Sequence, residues 1–245
     1  MKDDSASQMT LCPQLKDTLM QVSCATLTTV LFKMGLKNVF LLGPQRLRPG
    51  PNMVGFAYTL RYIPAREDLD RIEAFEDQTN PQRKGVEECP EGAVFVIDAR
   101  GDARAASAGA ILATRLQKRG CAGLVTDGGF RDTPEIAALE MPSYHSRPSA
   151  PTNLTHHHAV AINDPIACGE VSVFPADILV GDGEGVVCIP RHLAEEVASA
   201  AYDMTVFEDF VMECVQYGAS TFGLYPPTDA AVKKRFETWR QRKNR

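Results

Sequence analysis

Two apolar runs that end in acidic residues and glycine limit this chain to few folds. Residues 92–102, GAVFVIDARGD, and residues 121–129, CAGLVTDGG, have the length and β-branched content of buried strands. Between them, residues 103–120, ARAASAGAILATRLQKRG, predict a helix that ends at Gly120 after a basic last turn. Residues 131–141, RDTPEIAALEM, predict a second helix with an early proline. This order of strand, helix, strand and helix indicates an α/β fold with a parallel β-α-β core.

The segments on either side of this core have weaker patterns. Two short N-terminal helices are expected over about 12–36, a strand over 54–63, and a surface helix and loop over 65–88. After the core, HHHAVAIND and GEVSVFPADILVGDGEGVVCIP predict short strands that form an added β-layer. A long amphipathic helix and a basic helix, free to extend off the body, form a C-terminal helical extension (about 191–245). No linker divides the chain, so 1–245 is expected to be a single domain.

Charge and cysteine content exclude several classes of protein. The net charge of −5 gives no electrostatic reason to expect nucleic acid as a partner, and a small anionic substrate would need a local basic group. The seven cysteines contain no Cys-x-x-Cys pair, which fits reduced thiols better than disulfides or a zinc site. No apolar run approaches the ~20 residues that cross a bilayer, and the acidic N-terminus is unlike a signal peptide. We therefore expect a soluble, cytoplasmic protein with no membrane partner.

The stretch LVTDGGFRD, residues 124–132, places two acids, two glycines and an arginine directly after a strand. In parallel α/β sheets, ligands bind at the carboxyl ends of the strands. Arg131 could hold a carboxylate or keto oxygen with its fork of donors, and Asp132 could ligate Mg²⁺ or Mn²⁺. In the structural alternative, Asp132 caps the next helix and Arg131 makes a surface ion pair. The residues alone favour neither interpretation.

The block SAGAIL, residues 107–112, is a second candidate. If a helix begins near Gly109, its free N–H groups form an anion site, and the small side chains leave room for a carboxylate. Close packing of a helix on a sheet also selects glycine and alanine. Without the neighbouring turn, packing is the favoured interpretation.

Two further motifs are interpreted mainly as structural. His156, His157 and His158 are consecutive, so their side chains alternate across a strand and at most two could reach one metal ion. An irregular polar strand is favoured there. In GDGEG, residues 181–185, Asp182 and Glu184 could supply a general base or a contact to metal-bound water, but a tight acidic hairpin is slightly favoured.

Together, GAILATRLQKRGCAGLVTDGGFRD and GEVSVFPADILVGDGEGVVCIP resemble the RraA-like family. Its members include a regulator of ribonuclease E activity and class II 4-hydroxy-4-methyl-2-oxoglutarate aldolases. The resemblance runs from about Val22 to about Val197 and includes VSCATLTTVLFKMG and GAVFVIDARGD. The spacing from the GAIL block to Arg-Asp matches the family without a gap. The charged region 65–88 and the basic C-terminal helix match no part of the family pattern.

The resemblance implies a layered α/β/β sandwich, the RraA-like swivelling-domain fold, assembled as a homotrimer or hexamer with active sites between subunits. It implies a divalent cation, Mg²⁺ or Mn²⁺, and a small 2-oxo acid substrate. Arg131 would contact the keto acid and Asp132 would ligate the metal. The backbone amides of the GAIL block would bind pyruvate, and these belong to Gly109, Ala110, Ile111 and Leu112.

One residue departs from the family pattern. The second residue of the GAIL block is usually acidic in the aldolases, whereas this chain has Ala110. If that acid is required, aldol cleavage would either be slow or use another carboxylate, such as Asp102, Asp127 or Glu184, as the accessory acid. The expected function is metal-dependent cleavage of a 4-hydroxy-2-oxo acid of the 4-hydroxy-4-methyl-2-oxoglutarate type to pyruvate, with oxaloacetate decarboxylation as the side activity most compatible with alanine. The alternative is a non-catalytic regulator of a ribonuclease or another protein, with the basic 233–245 helix as a candidate contact.

Overall fold

The computed structural model describes residues 10–245. Its helices are α1 (Pro13–Leu19), α2 (Cys24–Lys33), α3 (Pro81–Glu88), α4 (Ala110–Lys118), α5 (Thr133–Ala137), α6 (Ala194–Gln216) and α7 (Ala230–Lys243). Its strands are β1 (Gln45–Arg46), β2 (Met53–Pro64), β3 (Ala93–Asp98), β4 (Ala106–Ala108), β5 (Gly123–Thr126), β6 (Gly129–Phe130), β7 (Ser143–His145), β8 (Arg147–Pro148), β9 (His157–Ile162), β10 (Ile166–Cys168), β11 (Val171–Val173), β12 (Ile178–Gly181) and β13 (Val186–Ile189).

The main sheet confirms the α/β class and its parallel core. Its strands lie in the order β1-β7-β5-β3-β2-β12-β13, and β9 pairs with the far end of β2. The four central strands β7, β5, β3 and β2 run parallel. The outer strands β1, β12, β13 and β9 run antiparallel to their neighbours. Connections through helices bring the carboxyl ends of β3 and β5 to the same edge of the sheet.

Successive side chains of the central strands point to opposite faces of the sheet, and each face carries an apolar layer. In β3, Phe95 and Ile97 pack into a cluster with α1, α2, α4 and α6 on one face. Val94 and Val96 point the other way and pack against the β10–β11 hairpin. Because both faces of the sheet are covered, β3 is apolar almost throughout, as buried parallel strands are. The result is a helix layer, a main sheet and an added β-layer. The expected extent of that layer was wrong, because β9, β12 and β13 pair into the main sheet and, of the strands between residues 157 and 189, only the β10–β11 hairpin lies outside it.

The segment 103–120 is only partly helical, and the prediction of one helix from its start was wrong. Ala106–Ala108 form strand β4, which pairs in parallel with β6, and β6 pairs with β8. The helix α4 begins at Ala110. Small side chains favour helix in isolation, but here they let β4 lie close to β6, and Ser107 donates a hydrogen bond to the Gly129 carbonyl at 3.0 Å. Tertiary pairing therefore overrides local propensity.

The sequence pattern predicts a basic C-terminal helix that is free to extend off the body. In the structure this helix instead packs on α6. In α7, Trp239 is 8% exposed and packs on Phe210 of α6, with ring centroids 5.8 Å apart. The indole N–H donates to Glu213 at 3.0 Å. Acids of α6 also pair with basic residues of α7 and of the two residues that follow it, namely Asp203 with Arg240, Glu213 with Lys243 and Asp209 with Arg245. Much of the positive charge of α7 is thus neutralised within the chain.

Several other predictions are confirmed by the observed elements. The two N-terminal helices, the strand over 54–63 and the long helix after 191 all form. The acidic N-terminus lies partly outside the described residues. In residues 10–245, no helix combines the length and the apolar composition that crossing a bilayer requires.

Candidate functional site

Two short parallel strands bring the predicted site residues together. Because β4 and β6 pair in parallel, the residues that follow them, Gly109 and Arg131, lie side by side. The backbone N–H of Arg131 donates to the Ala108 carbonyl at 3.1 Å, which extends the pairing by one residue. The block at 107–112 and the Arg-Asp pair are therefore neighbours in space.

Asp132 reaches across to the start of the other helix. It occupies the N-cap position of α5, but its side chain caps nothing there. Its backbone is left-handed, with φ +56°, and its Oδ2 accepts the Ala110 N–H of α4 at 3.2 Å. The Nε of Arg131 lies 3.4 Å from the same oxygen. The structural alternative is therefore correct only in part: Asp132 does not cap α5, but Arg131 does form a partly exposed ion pair, with Asp132 itself. The Oδ1 of Asp132 accepts no hydrogen bond from residues 10–245.

Gly109 makes this approach sterically feasible. Its backbone, φ −129° and ψ 179°, is extended and open to any residue, so conformation does not demand glycine. A Cβ at this position would instead lie 2.9 Å from Asp132 Oδ2 and 2.9 Å from Arg131 Cγ. The missing side chain is the space in which the Arg-Asp pair lies.

Arg131 and Asp132 line a cavity of about 150 Å³ together with the first turn of α4. The first N–H groups of a helix have no acceptor within the helix. In α4 the Ala110 N–H is satisfied by Asp132, whereas those of Ile111 and Leu112 have no intrahelical acceptor. The cavity thus combines a guanidinium, a carboxylate and free amides, which suits a small anion with a cation. The side chains of Arg131 and Asp132 remain 46% and 39% exposed.

Buried polar groups hold β4 in position beneath the cavity. Gln82 of α3 donates to the Ser107 carbonyl at 2.8 Å and to the Tyr62 hydroxyl at 2.7 Å. That hydroxyl donates to the same carbonyl at 3.0 Å. The Ser107 hydroxyl, which donates its proton to the Gly129 carbonyl, is also hydrogen-bonded to the Thr126 hydroxyl at 2.9 Å. Because these groups are buried, each bond lost would leave an unsatisfied partner, and the network keeps the strand rigid.

The accessory acids Asp127 and Asp102 do not line this cavity. Asp127 is 4% exposed, and its carboxylate accepts N–H groups of Ala99, Gly101 and Gly169 at 2.7, 2.9 and 3.3 Å. Burial raises its pKa despite these bonds. Asp102 pairs with Arg104 at 2.7 Å, and this partner holds the pKa of Asp102 well below its usual range. Within one chain, both acids fix loops.

The acidic hairpin lies at the opposite end of the sheet. Gly181, at the tip of β12, pairs with Met53, the first residue of β2, so Asp182 and Glu184 lie at the amino ends of the parallel strands. Asp182 accepts the N–H of Cys24 at 2.7 Å and that of Glu184 at 2.8 Å. In a single chain, Glu184 is not brought to the Arg-Asp pair.

The three histidines do not converge. His157 is buried, stacks on Tyr62 with centroids 5.1 Å apart, and lies 3.3 Å from the Ala105 carbonyl. His158 pairs with Asp70 at 2.8 Å. No group of three or more histidine, cysteine or acidic side chains positioned to hold a metal exists in residues 10–245.

The 65–88 region also contributes side chains to the cavity, which its sequence pattern did not indicate. Phe75 and Arg83 line the same cavity as Arg131 and Asp132. The Asn80-Pro81 pair, a helix start signal, was the feature that could have located α3. Nothing in its charge pattern indicates that this helix turns toward β4, because that contact depends on the buried Gln82.

The sequence matches the RraA-like family model, described as Aldolase/RraA, over residues 18–188. This chain belongs to the RraA-like family. The matched region contains both strands of the site and the helix starts that follow them. It excludes α6 and α7, which lie beyond residue 188.

Individual RraA-like relatives differ in how they are described. A Halalkalibacterium halodurans protein named "Putative 4-hydroxy-4-methyl-2-oxoglutarate aldolase" is 37% identical over 118 residues, which cover 48% of this chain and 56% of that one. The chain thus spans about half the length of this curated relative. The chain is also similar to the crystal structure of Streptomyces coelicolor RraAS2, described as an unusual member of the RNase ES inhibitor RraA protein family. The two chains are 30% identical in sequence with a TM-score of 0.72, and the match covers 81% of this chain and 96% of that one. An uncharacterized protein from Pseudomonas syringae pv. tomato shares the fold. Its structure is 23% identical in sequence, with a TM-score of 0.77, and the match covers 88% of this chain and 94% of that one.

Proposed function

We propose that this RraA-like protein is a divalent-metal-dependent carbon–carbon lyase that releases pyruvate from a 4-hydroxy-2-oxo acid and decarboxylates oxaloacetate. One observation carries the proposal. The Arg131 guanidinium and the Asp132 carboxylate meet the first amides of α4 in one cavity, with Asp132 Oδ2 3.2 Å from the Ala110 nitrogen. The aldolase name of the Halalkalibacterium halodurans relative supports the same reaction class.

The residues at the cavity fit a hydrated ion and not an all-protein cage. Asp132 is the one carboxylate on the cavity wall, and its Oδ1 is free of hydrogen bonds from residues 10–245. Mg²⁺ commonly binds through one or two carboxylates and keeps water and substrate oxygens as its other ligands. Bound at Asp132, Mg²⁺ or Mn²⁺ would act as a Lewis acid toward the keto acid.

The chain's own groups bind and polarise the substrate. In the proposed mechanism the amides of Ile111 and Leu112 hold the substrate carboxylate, and Arg131 lies beside the keto oxygen. When the C3–C4 bond breaks, its electron pair moves into the carbonyl and forms the pyruvate enolate. The fixed positive charge of Arg131 stabilises that developing charge more than it stabilises the ground state. C3 then takes up a proton, and pyruvate leaves.

The two reactions differ in the base that they need. Aldol cleavage requires removal of the proton from the C4 hydroxyl, and the other product is a carbonyl compound. Oxaloacetate decarboxylation breaks the same bond, releases CO₂ and requires no such base. Because Ala110 offers no acid and neither Asp102 nor Asp127 lines the cavity, decarboxylation is expected to be the faster reaction in a single subunit's site.

We also propose a homotrimer or hexamer in which a neighbouring subunit completes the site. The cavity is open, and Ile111 on its rim is 82% exposed. A large apolar side chain in that position gains free energy when a partner covers it. A neighbouring subunit could also supply the missing base, for example its own Glu184.

The test is a coupled pyruvate assay with Mg²⁺ and with Mn²⁺ against a panel of 2-oxo acids. Removing either Arg131 or Asp132 should lower kcat/KM by about 10²–10³-fold, the usual cost of deleting one charge-stabilising group. The exposed Arg66–Asp68 pair, 2.7 Å apart, provides matched controls, since Arg66→Ala and Asp68→Ala should leave the rate unchanged. Full turnover in excess EDTA would refute the metal's role.

A second function, non-catalytic regulation of a ribonuclease or another protein, is supported by the likeness to RraAS2. It predicts a stable complex with a partner and no metal-dependent pyruvate release. The ion pairs with α6 weaken the case for the 233–245 helix as the contact surface, because four of its seven basic residues, Arg240, Arg242, Lys243 and Arg245, already pair with acids. Size-exclusion chromatography with a purified ribonuclease, run beside the pyruvate assay, separates the two functions.

A further inference from the structure

We propose that Arg83 is the second anion-binding residue of the cavity and selects substrates with a distal carboxylate. The inference rests on the proposed function. It assigns a role to a helix for which the sequence pattern gave none. Under this proposal Arg131 holds the keto-acid end of the substrate, and Arg83 holds the far end.

Arg83 is presented by a fixed backbone. It lies in the first turn of α3, where the Asn80 side chain accepts the N–H groups of Gln82 and Arg83 at 3.0 and 3.5 Å. The adjacent Gln82 is 3% exposed and bonded to the Ser107 carbonyl of β4. The turn that carries Arg83 is therefore tied to the strand that carries the site.

The guanidinium has no counter-ion in residues 10–245. Its Nε is buried without a hydrogen-bond partner, and its Cζ lies over the Phe75 ring, 4.8 Å from the centroid. The acids that follow on α3 are engaged elsewhere, since Glu87 pairs with Arg115 at 2.6 Å and Glu88 with Lys84 at 3.8 Å. Buried donors without partners are rare in native proteins and call for a ligand or water.

Arg83 lies between two cavities, and the charges in each indicate from which one an anion would reach it. Arg83 also borders a neighbouring cavity of about 350 Å³, whose wall includes Asp77, Glu87 and Glu88. Besides Arg83, the only cation that the described residues place on that wall is Lys84, so the three carboxylates outnumber the cations and disfavour an anion. On the other side, the 150 Å³ cavity contains Arg131 and the amides of α4. An anion that satisfies Arg83 therefore belongs to the cavity of the Arg-Asp pair.

Two guanidiniums with one carboxylate suit a substrate with two negative ends. A 2-oxo monocarboxylate would satisfy Arg131 and leave Arg83 unpaired in a partly desolvated place. A 2-oxo dicarboxylate places its keto-acid end at Arg131 and the α4 amides and its second carboxylate at Arg83, and arginine is the side chain best matched to planar carboxylates. The charge of this second carboxylate does not change when the C3–C4 bond of a 4-hydroxy-2-oxo acid breaks. The contribution of Arg83 therefore appears as uniform binding, which changes KM more than kcat.

The experiment compares two substrates that differ at one end. 4-Hydroxy-2-oxoglutarate carries a distal carboxylate and yields pyruvate and glyoxylate, whereas 4-hydroxy-2-oxopentanoate carries a methyl group and yields pyruvate and acetaldehyde. For Arg83→Gln we expect KM for the first to rise about 10- to 100-fold with kcat within about 3-fold, and kcat/KM for the second to stay within about 2-fold of wild type. Lys84→Gln, which removes one charge from the same helix turn, is the matched control and should change neither.

Arg83→Lys keeps the charge but loses the fork, so its KM for the dicarboxylate should fall between those of wild type and Arg83→Gln. It also serves if Arg83→Gln folds poorly. Equal losses on both substrates, or no change on either, would overturn the assignment while leaving the lyase proposal intact. A wild-type protein that releases pyruvate from neither substrate, nor from oxaloacetate, would overturn the proposed function and this inference with it.

Discussion

Gly109→Ala tests whether the missing side chain makes room for the Arg-Asp pair. A Cβ there would lie 2.9 Å from both Asp132 Oδ2 and Arg131 Cγ, whereas ordinary van der Waals contact begins near 3.4 Å. Both side chains must retreat by about 0.5 Å, and a misplacement of ~1 Å can cost ~10²-fold in rate. We therefore expect kcat/KM for pyruvate release to fall about 10- to 100-fold, or about 1.4–2.7 kcal/mol of transition-state stabilisation.

The same substitution should leave the fold intact. The extended backbone at Gly109 accepts alanine, and Gly→Ala at a compatible site stabilises by ~0.4–1 kcal/mol through the unfolded state. That gain offsets part of the steric cost, so the free energy of unfolding in urea should stay within ~1 kcal/mol of wild type. Gly50→Ala is the control, because Gly50 is exposed and a Cβ there would meet only the Arg46 guanidinium, at an ordinary contact distance of 3.5 Å. Unchanged kcat/KM in Gly109→Ala, or an equal loss in Gly50→Ala, would refute the reasoning.

Two further predictions concern the base and the buried histidine. Ala110→Asp should raise the ratio of aldol cleavage to oxaloacetate decarboxylation by ~10-fold or more, because a new acid on α4 can take part in proton transfer. If parallel assays of the two reactions show an unchanged ratio, residue 110 does not have that role. Burial lowers the pKa of His157, so this residue stabilises the fold above its unfolded pKa of ~6.5, and that contribution is lost as the pH falls through the lower folded value. The difference in unfolding free energy between wild type and His157→Gln should therefore shrink from pH 8 to pH 5, and a difference independent of pH would contradict the assignment.

The site depends on a small sheet set beside the main one. β4 and β6 are each three residues or shorter, and neither would persist alone. They are held by the Ser107 hydroxyl, the Gln82 amide and the Tyr62 hydroxyl, all of which are buried. The helix N-terminus and the Arg-Asp pair are thus positioned by groups that never contact the substrate, which is the arrangement that a preorganised site requires.

Local sequence patterns were sufficient to predict the class of fold and the chemical character of the Arg-Asp turn. Apolar strands followed by acids and glycine, with a helix between them, leave few arrangements other than a parallel core. The positions of Arg131 and Asp132 after such a strand placed them at the carboxyl edge, because strand direction fixes which end faces the helix starts. These conclusions come from local periodicity and from the handedness of the connections.

Which side chains come into contact could be seen only in the folded chain. Tertiary structure turned residues 106–108 from predicted helix into strand, because pairing with β6 outweighs the helix propensity of alanine. It assigned Asp127 to holding loops and set Glu184 at the far end of the sheet. It also brought Arg83 to the cavity through the buried contact of Gln82 with β4. Long-range contacts of this kind join segments that no sequence spacing relates.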